Sequence, residues 1–281
     1  MYNLRYHIAS LVGVFLALAL GLVLGGLVVG QGTMEQQQGA LVEGLRKEFT
    51  TLRAENQKLG DQNELLKTYS AMMTEGWTAD RLAGKTTVII ANSGRSDGLK
   101  AATEAIEGAG GTVVTVTMSA TGLDLSDADL ASAVASATGE TKPSAEKIAE
   151  ALRIEWTSGG APRPLTDALV EADVLEVNGL TADVAASSIV DLAGPDNAPD
   201  EFALAIARAF SAAGLPAVGG QTPVRDTGVA AASAAAGLSA LDTLGTDVGR
   251  YTVVALLTGA SPGYYGEGDG AVAPFPPLPE P

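Results

Sequence analysis

The chain has no cysteine and a single histidine, His7. Without cysteine there can be no disulfides, iron–sulfur clusters or thiolate metal sites. With one histidine, placed close to the N-terminus, a Ser-His-Asp relay in the bulk of the chain is excluded. Aromatic residues make up only 5% of the sequence, so any core is built from aliphatic side chains and alanine. Positive charge is scarce as well: 17 Lys and Arg face 33 Asp and Glu, a net charge of −16. Such a surface repels phosphate backbones and anionic headgroups, and nucleic acid is not expected as a partner. The missing cysteines do not assign a compartment by themselves.

What is present begins with an apolar run. From Ile8 to Val29 there are 22 residues without a charge, about 33 Å as helix against a bilayer core of roughly 30 Å. A cleaved signal peptide has a shorter apolar region and a small-residue cleavage site. No such site follows, so the run reads as an uncleaved anchor. Arg5 precedes it without any acid, and the first charge after it is Glu35. The positive-inside rule then places the N-terminus in the cytoplasm and the bulk of the chain outside the cytoplasmic membrane. Gly21, Gly25, Gly26 and Gly30 form small-xxx-small pairs, which let two membrane helices approach closely.

Next comes a heptad pattern. With Phe49 at an a position, Val42, Leu45, Phe49, Leu52, Leu59, Leu66 and Met73 occupy a and d over nearly five repeats. Asn56 and Asn63 fall on a. A buried asparagine there favours a parallel two-stranded pair and penalises other registers. Glu48 at g can face Arg53 at e of a parallel partner, and Gln62 can face Lys67. Gly39, Gly44 and Gly60 each weaken the helix by about 1 kcal/mol relative to Ala. The expectation is a marginal, parallel homodimeric coiled coil over residues 31–82, following the stub and anchor at 1–30.

From residue 83 strands and helices alternate. Thr86–Ala91 and Thr112–Thr117 read as strands flanking a helix over Leu99–Gly108. Helices follow at Ser126–Thr138 and Ser144–Ile154, a strand at Asp173–Asn178, and a helix at Glu201–Ala213. Strands are expected at Leu215–Gly219 and near Leu238–Leu241, then a helix over Asp247–Leu257. Alternation of this kind implies a doubly wound, mostly parallel α/β domain of the flavodoxin or Rossmann type over residues 83–266. The Gly- and Pro-rich residues 267–281 are expected to be disordered.

The loop Asn92-Ser93-Gly94-Arg95-Ser96-Asp97-Gly98 follows the first strand, where open sheets bind ligands, and its amides could hold an anion. It lacks the G-x-G-x-x-G spacing, and no acid ends the second strand. Ser96 and Asp97 serve more simply as helix caps. No pair of carboxylates stands out by spacing. Neither an enzyme nor a cofactor is expected.

Three features together carry a resemblance: the anchor S-L-V-G-V-F-L-A-L-A-L-G (Ser10–Gly21), the sequence L-D-T-L-G-T-D-V-G-R (Leu241–Arg250), and G-Y-Y-G (Gly263–Gly266). In this order, around a coiled coil, they resemble the actinobacterial MctB family, whose members are described as copper transporters. The chain is most similar to the SteB-like branch of that family. The resemblance implies a single-pass envelope scaffold that works with a SteA-like membrane partner to control cell separation through peptidoglycan hydrolases. It also implies the alternative of copper transport or tolerance. A third reading is a small-ligand receptor or enzyme at the Asn92–Gly98 loop. The family motif includes Asp242, Thr243, Gly249 and Arg250, for which capping and loop anchoring are the expected roles. Copper(I) prefers thiolate, thioether and imidazole. Beyond the anchor only Met34, Met72, Met73 and Met118 offer such atoms, and no metal site is expected.

Overall fold

The computed structural model describes residues 4–30, 33–92, 96–119, 123–158, 160, 162–180, 186–191, 201–223 and 228–278. Two compact units, Met1–Lys67 and Thr68–Pro281, make up the chain. The first unit holds α1 (Leu4–Gly30) and most of α2 (Thr33–Thr78). Within α1, Tyr6–Leu27 has a mean hydropathy of 2.6 and none of it is buried, as suits a helix whose surroundings are lipid. It is the one helix among the described residues long and apolar enough to cross a membrane.

Helix α2 runs unbroken for 46 residues through Gly39, Gly44, Gly60 and Gly76. The hydroxyls of Thr50 and Thr51 donate back to the carbonyls of Arg46 and Lys47, which satisfies both polar side chains within the helix. The last turns of α2 belong to the second unit. Thr74 and Thr78 are buried, Thr74 reaches the Asp247 carbonyl at 3.4 Å, and Leu82 lies in the core. The second unit therefore begins at Thr68, fifteen residues before the expected start of the α/β domain.

The second unit is a mixed α/β fold around one seven-stranded sheet. Its strands are β1 (Thr86–Asn92), β2 (Thr112–Met118), β3 (Leu175–Asn178), β4 (Ala186–Asp191), β5 (Ala217–Gly220), β6 (Ser239–Leu241) and β7 (Tyr264–Tyr265). The spatial order is β3-β2-β1-β4-β5-β6-β7. All neighbours are parallel except β3, which runs antiparallel to β2 at one edge.

Helices cover both faces. Alternation along β1 makes this possible: Val88 and Ile90 point to one face, Ile89 and Ala91 to the other. The first face packs α4 (Ala128–Thr138), α5 (Ala145–Thr157), α6 (Pro164–Glu171) and α7 (Glu201–Ala212) around Trp156 and Phe210. The second packs α3 (Ser96–Glu107) and α9 (Asp247–Leu257) around Ile89, Ile106 and Val253. α8 (Val229–Ala235) lies on the α7 face, since a Cβ at Gly219 would overlap its Ser233.

The steps β4→β5→β6→β7 all move the same way across the sheet, yet α7 and α8 lie on one face and α9 on the other. The β6–α9–β7 crossover thus has the opposite hand to the two before it, a rare arrangement among parallel crossovers. β7, only two residues long, carries little strand twist to oppose it.

The expected helices and strands appear with ends shifted by a few residues. α6, β4, α8 and β7 are additions. One expectation is corrected outright. Most of the stretch assigned to a disordered tail, up to residue 278, is packed on the domain. Tyr265 bridges Ala273, Val272 N–H donates to the Tyr264 carbonyl, and the Tyr251 hydroxyl donates to the Pro276 carbonyl at 3.2 Å. An aromatic ladder fixes it: Trp77 of α2 packs on Tyr251 of α9 (centroids 4.6 Å apart), and Tyr251 packs edge-on against Phe275 at 6.1 Å. The Arg81 guanidinium caps the ladder, 4.6 Å over Trp77.

Candidate functional site at the carboxyl edge of β5, β6 and β7

The two C-terminal sequence motifs form one site. Asp242 follows β6 directly, is 6% exposed, and has no cation among its hydrogen-bond partners. Its carboxylate accepts the Tyr264 hydroxyl at 2.9 Å and the backbone N–H groups of Glu267 (3.0 Å) and Gly268 (2.6 Å). These donors offset the desolvation of a buried charge. Gly266 has φ +142°, in the range that favours glycine, and a Cβ there would overlap the Asp242 carboxylate. The glycine that closes G-Y-Y-G is therefore what lets the loop wrap the aspartate.

Gln221, at the end of β5, adds a second tie. Its N–H donates to the Leu241 carbonyl, and its carbonyl accepts from Leu244 N–H. Its side-chain oxygen accepts Ala230 N–H at 3.0 Å, capping α8, whose own N-cap is Gly228. Around these groups opens a cleft of about 400 Å³. It is lined by Gln221, Asp242, Thr243, Tyr264, Glu267 and Asp269, with Pro223 and Ala231 as apolar wall.

The other motif residues have separate tasks. The Thr243 carbonyl accepts the Thr246 hydroxyl at 2.8 Å, and that hydroxyl in turn accepts Gly249 N–H at 3.0 Å as the N-cap of α9. A Cβ at Gly249 would overlap the Thr243 carbonyl, so close backbone approach requires glycine. Arg250 is half-buried and lines a small recess with Glu104 and Asp247. Capping and anchoring thus describe Asp242, Gly249 and the Thr243 backbone. The Thr243 side chain stands apart: its hydroxyl is buried without a hydrogen-bond partner.

The remaining sequence candidates lie elsewhere. At Gly21 and Gly25 on α1 an added Cβ would meet nothing within 4 Å, leaving both open to a neighbouring helix. Leu45, Phe49, Leu52, Leu59 and Leu66 are 45–63% exposed on α2, and Asn56 and Asn63 are exposed beside them. In the proposed ligand loop, Asn92 ends β1 paired with Met118, and Ser96 opens α3. Ser93, Gly94 and Arg95 lie outside the described residues. The sheet order reverses between β1 and β4, and residues 192–200 beyond β4 also lie outside them.

A family model described as "Copper transport outer membrane protein, MctB" matches residues 1–276. The chain belongs to the MctB family. Neither a curated protein nor a solved structure matches it. The match runs through α1, α2 and the Asp242 site. Among the described residues, no group of three or more His, Cys, Asp or Glu side chains could hold a metal ion. Met118 is 1% exposed in the core. Met72 and Met73 are exposed neighbours on α2, and adjacent helical residues do not share a face.

Proposed function

We propose that this MctB-family protein is a non-enzymatic envelope scaffold, anchored in the cytoplasmic membrane by α1 with its N-terminus inside. In this reading α2 pairs with α2 of a second copy as a parallel coiled coil. The pair presents a surface to a SteA-like membrane partner that regulates cell separation. The observation that carries the reading is the row Leu45, Phe49, Leu52, Leu59 and Leu66, exposed along one heptad seam. A row of large apolar side chains on a mostly polar helix calls for a partner helix. Asn56 and Asn63 in that seam would fix register and pair number at a cost in stability.

The test is sedimentation of the full chain in detergent, together with cell chaining in strains carrying variants. Leu52→Glu should give monomers and chained cells while intrinsic tryptophan fluorescence stays native. A wild-type chain that sediments as a monomer overturns the reading.

Copper transport or tolerance is the second reading, favoured by the family's description. It makes the protein an accessory to another copper-handling component, because its methionine sulfurs are dispersed. A copper-sensitive deletion strain that separates its daughter cells normally would favour it.

A further inference from the structure

We propose that the C-terminal segment, residues 267–278, is a latch. Closed, it clamps the last turns of α2 onto α9; open, it lets them go while the sheet stays folded. The proposal stands apart from the scaffold reading, because it concerns contacts inside the second unit and holds whether α2 is paired or single.

Those turns have a light hold on the domain. α2 buries Thr74 and Thr78 against it, small side chains that remove little apolar area from water. The Thr78 hydroxyl spends its bond inside the helix, on the Thr74 carbonyl at 2.8 Å. The Thr74 hydroxyl meets the Asp247 carbonyl at 3.4 Å, long for such a bond. The large side chain in the contact is Trp77, and it rests on Tyr251. Arg81 moves with Trp77, since its guanidinium lies over that ring and its Nε donates to the Trp77 carbonyl at 3.1 Å. Firm attachment starts at Leu82, which is 1% exposed and whose N–H donates to the Ala109 carbonyl at 2.9 Å.

Tyr251 is therefore the keystone, and the C-terminal segment closes over it. Phe275 packs edge-on against the Tyr251 ring, and the Pro276 carbonyl accepts its hydroxyl. With the segment away, water reaches the outer side of Tyr251 and the hydroxyl loses its acceptor. The Trp77–Tyr251 contact is then no longer shielded, and a helix end without its packing frays.

The latch itself is fastened mainly through its backbone. The N–H groups of Glu267 and Gly268 sit on Asp242, Val272 N–H donates to the Tyr264 carbonyl, and Gly266 N–H donates to the Ala273 carbonyl. Apolar burial adds little. Ala271 and Ala273 are half-buried and Pro276 is buried, while Val272, Phe275 and Leu278 are 70%, 51% and 67% exposed. A segment with few buried apolar contacts opens at a lower free energy than the core it covers. Gly270, at φ +94°, supplies a pivot. Opening there leaves the pairing of β7 with β6 intact.

The experiment is hydrogen exchange of the full-length protein in detergent, read by mass spectrometry. In the wild type the amides of residues 271–275 should exchange first, those of 74–78 next, and those of Thr86–Asn92 in β1 last. A chain ended after Gly270 keeps the Asp242 fastening and loses the clamp. Exchange at 74–78 should then rise about tenfold or more, while β1 stays protected over the same labelling times. Phe275→Ala, which keeps the chain complete, should give a smaller rise at the same residues, and it decides the matter if the shortened chain proves unstable. Unchanged exchange at 74–78 in Phe275→Ala and the shortened chain would overturn the proposal. So would wild-type residues 271–275 protected as long as β1, or a loss of protection in Phe275→Ala as large at β1 as at 74–78, since the segment would then be part of the core.

Discussion

The Tyr264 hydroxyl donates to the Asp242 carboxylate at 2.9 Å, joining residues 22 apart in sequence across the mouth of the sheet. Asp242 would otherwise be a buried charge held by two amides alone. Replacing it by Asn removes the charge assistance from three hydrogen bonds, and a loss of about 1.5–3 kcal/mol is expected. Tyr264→Phe should cost less, and the double variant less than the two summed, with a coupling of about 0.5–3 kcal/mol. Urea unfolding followed by tryptophan fluorescence measures this in the second unit, where both tryptophans, Trp77 and Trp156, lie. Strict additivity would mean that the hydroxyl and the carboxylate do not act together.

Gly249 offers a reversal of the usual helix rule. In an exposed helix, Gly→Ala stabilises by about 1 kcal/mol. At Gly249 the added methyl meets the Thr243 carbonyl, so Gly249→Ala should destabilise by about 1–3 kcal/mol. The same change at Gly60, where a Cβ meets nothing, should raise helix content in circular dichroism. A stabilised Gly249→Ala protein would show that this backbone contact is not tight.

Glu155 caps α6, a helix that begins nine residues later. Its carboxylate accepts Leu165 N–H at 2.8 Å and both the N–H and the hydroxyl of Thr166, at 2.9 and 2.8 Å. The local N-cap of α6, Arg163, makes no side-chain capping bond. Glu155→Ala should therefore cost about 1–2 kcal/mol, read from the urea midpoint. An unchanged midpoint would mean that Pro164, which starts the helix, is sufficient.

The phenol of Tyr251 is pushed above its ordinary range by burial in the Trp77–Tyr251–Phe275 ladder, with the Arg81 charge opposing. The folded state thus holds this proton more tightly than the unfolded state does. Stability from that difference is complete below the ordinary tyrosine value of about 10 and is lost as pH rises through the raised one. Urea midpoints should fall as pH rises above about 10, and Tyr251→Phe should flatten that fall. A slope that the substitution leaves unchanged would assign the alkaline loss to other groups.

The anchor, the heptad row and most of the α/β alternation could be read from the sequence because each is a local pattern. α6 could not, since its capping carboxylate is Glu155, outside any local window. β4 was hidden because A-S-S-I-V-D is short and half polar, and only its place between β1 and β5 makes it a strand. The Asp242 site was half legible. Both motifs stood out, but that they meet depends on a crossover of unusual hand. Glu267 and Asp269 were missed because a run of Gly, Pro and acids reads as disordered, and the order here comes from Asp242 and the Trp77 ladder.

The C-terminal segment also seals the sheet. An open strand margin is a template on which further chains can add. Beyond β7 that margin is occupied: Ala273 bridges Tyr265, and Gly266 N–H donates to the Ala273 carbonyl. Pro274, Pro276 and Pro277 follow, and proline has no N–H with which to continue a ladder. At the opposite margin β3 is four residues long and carries the exposed Glu176. Among the described residues the sheet therefore offers a further chain only the short, charged margin of β3.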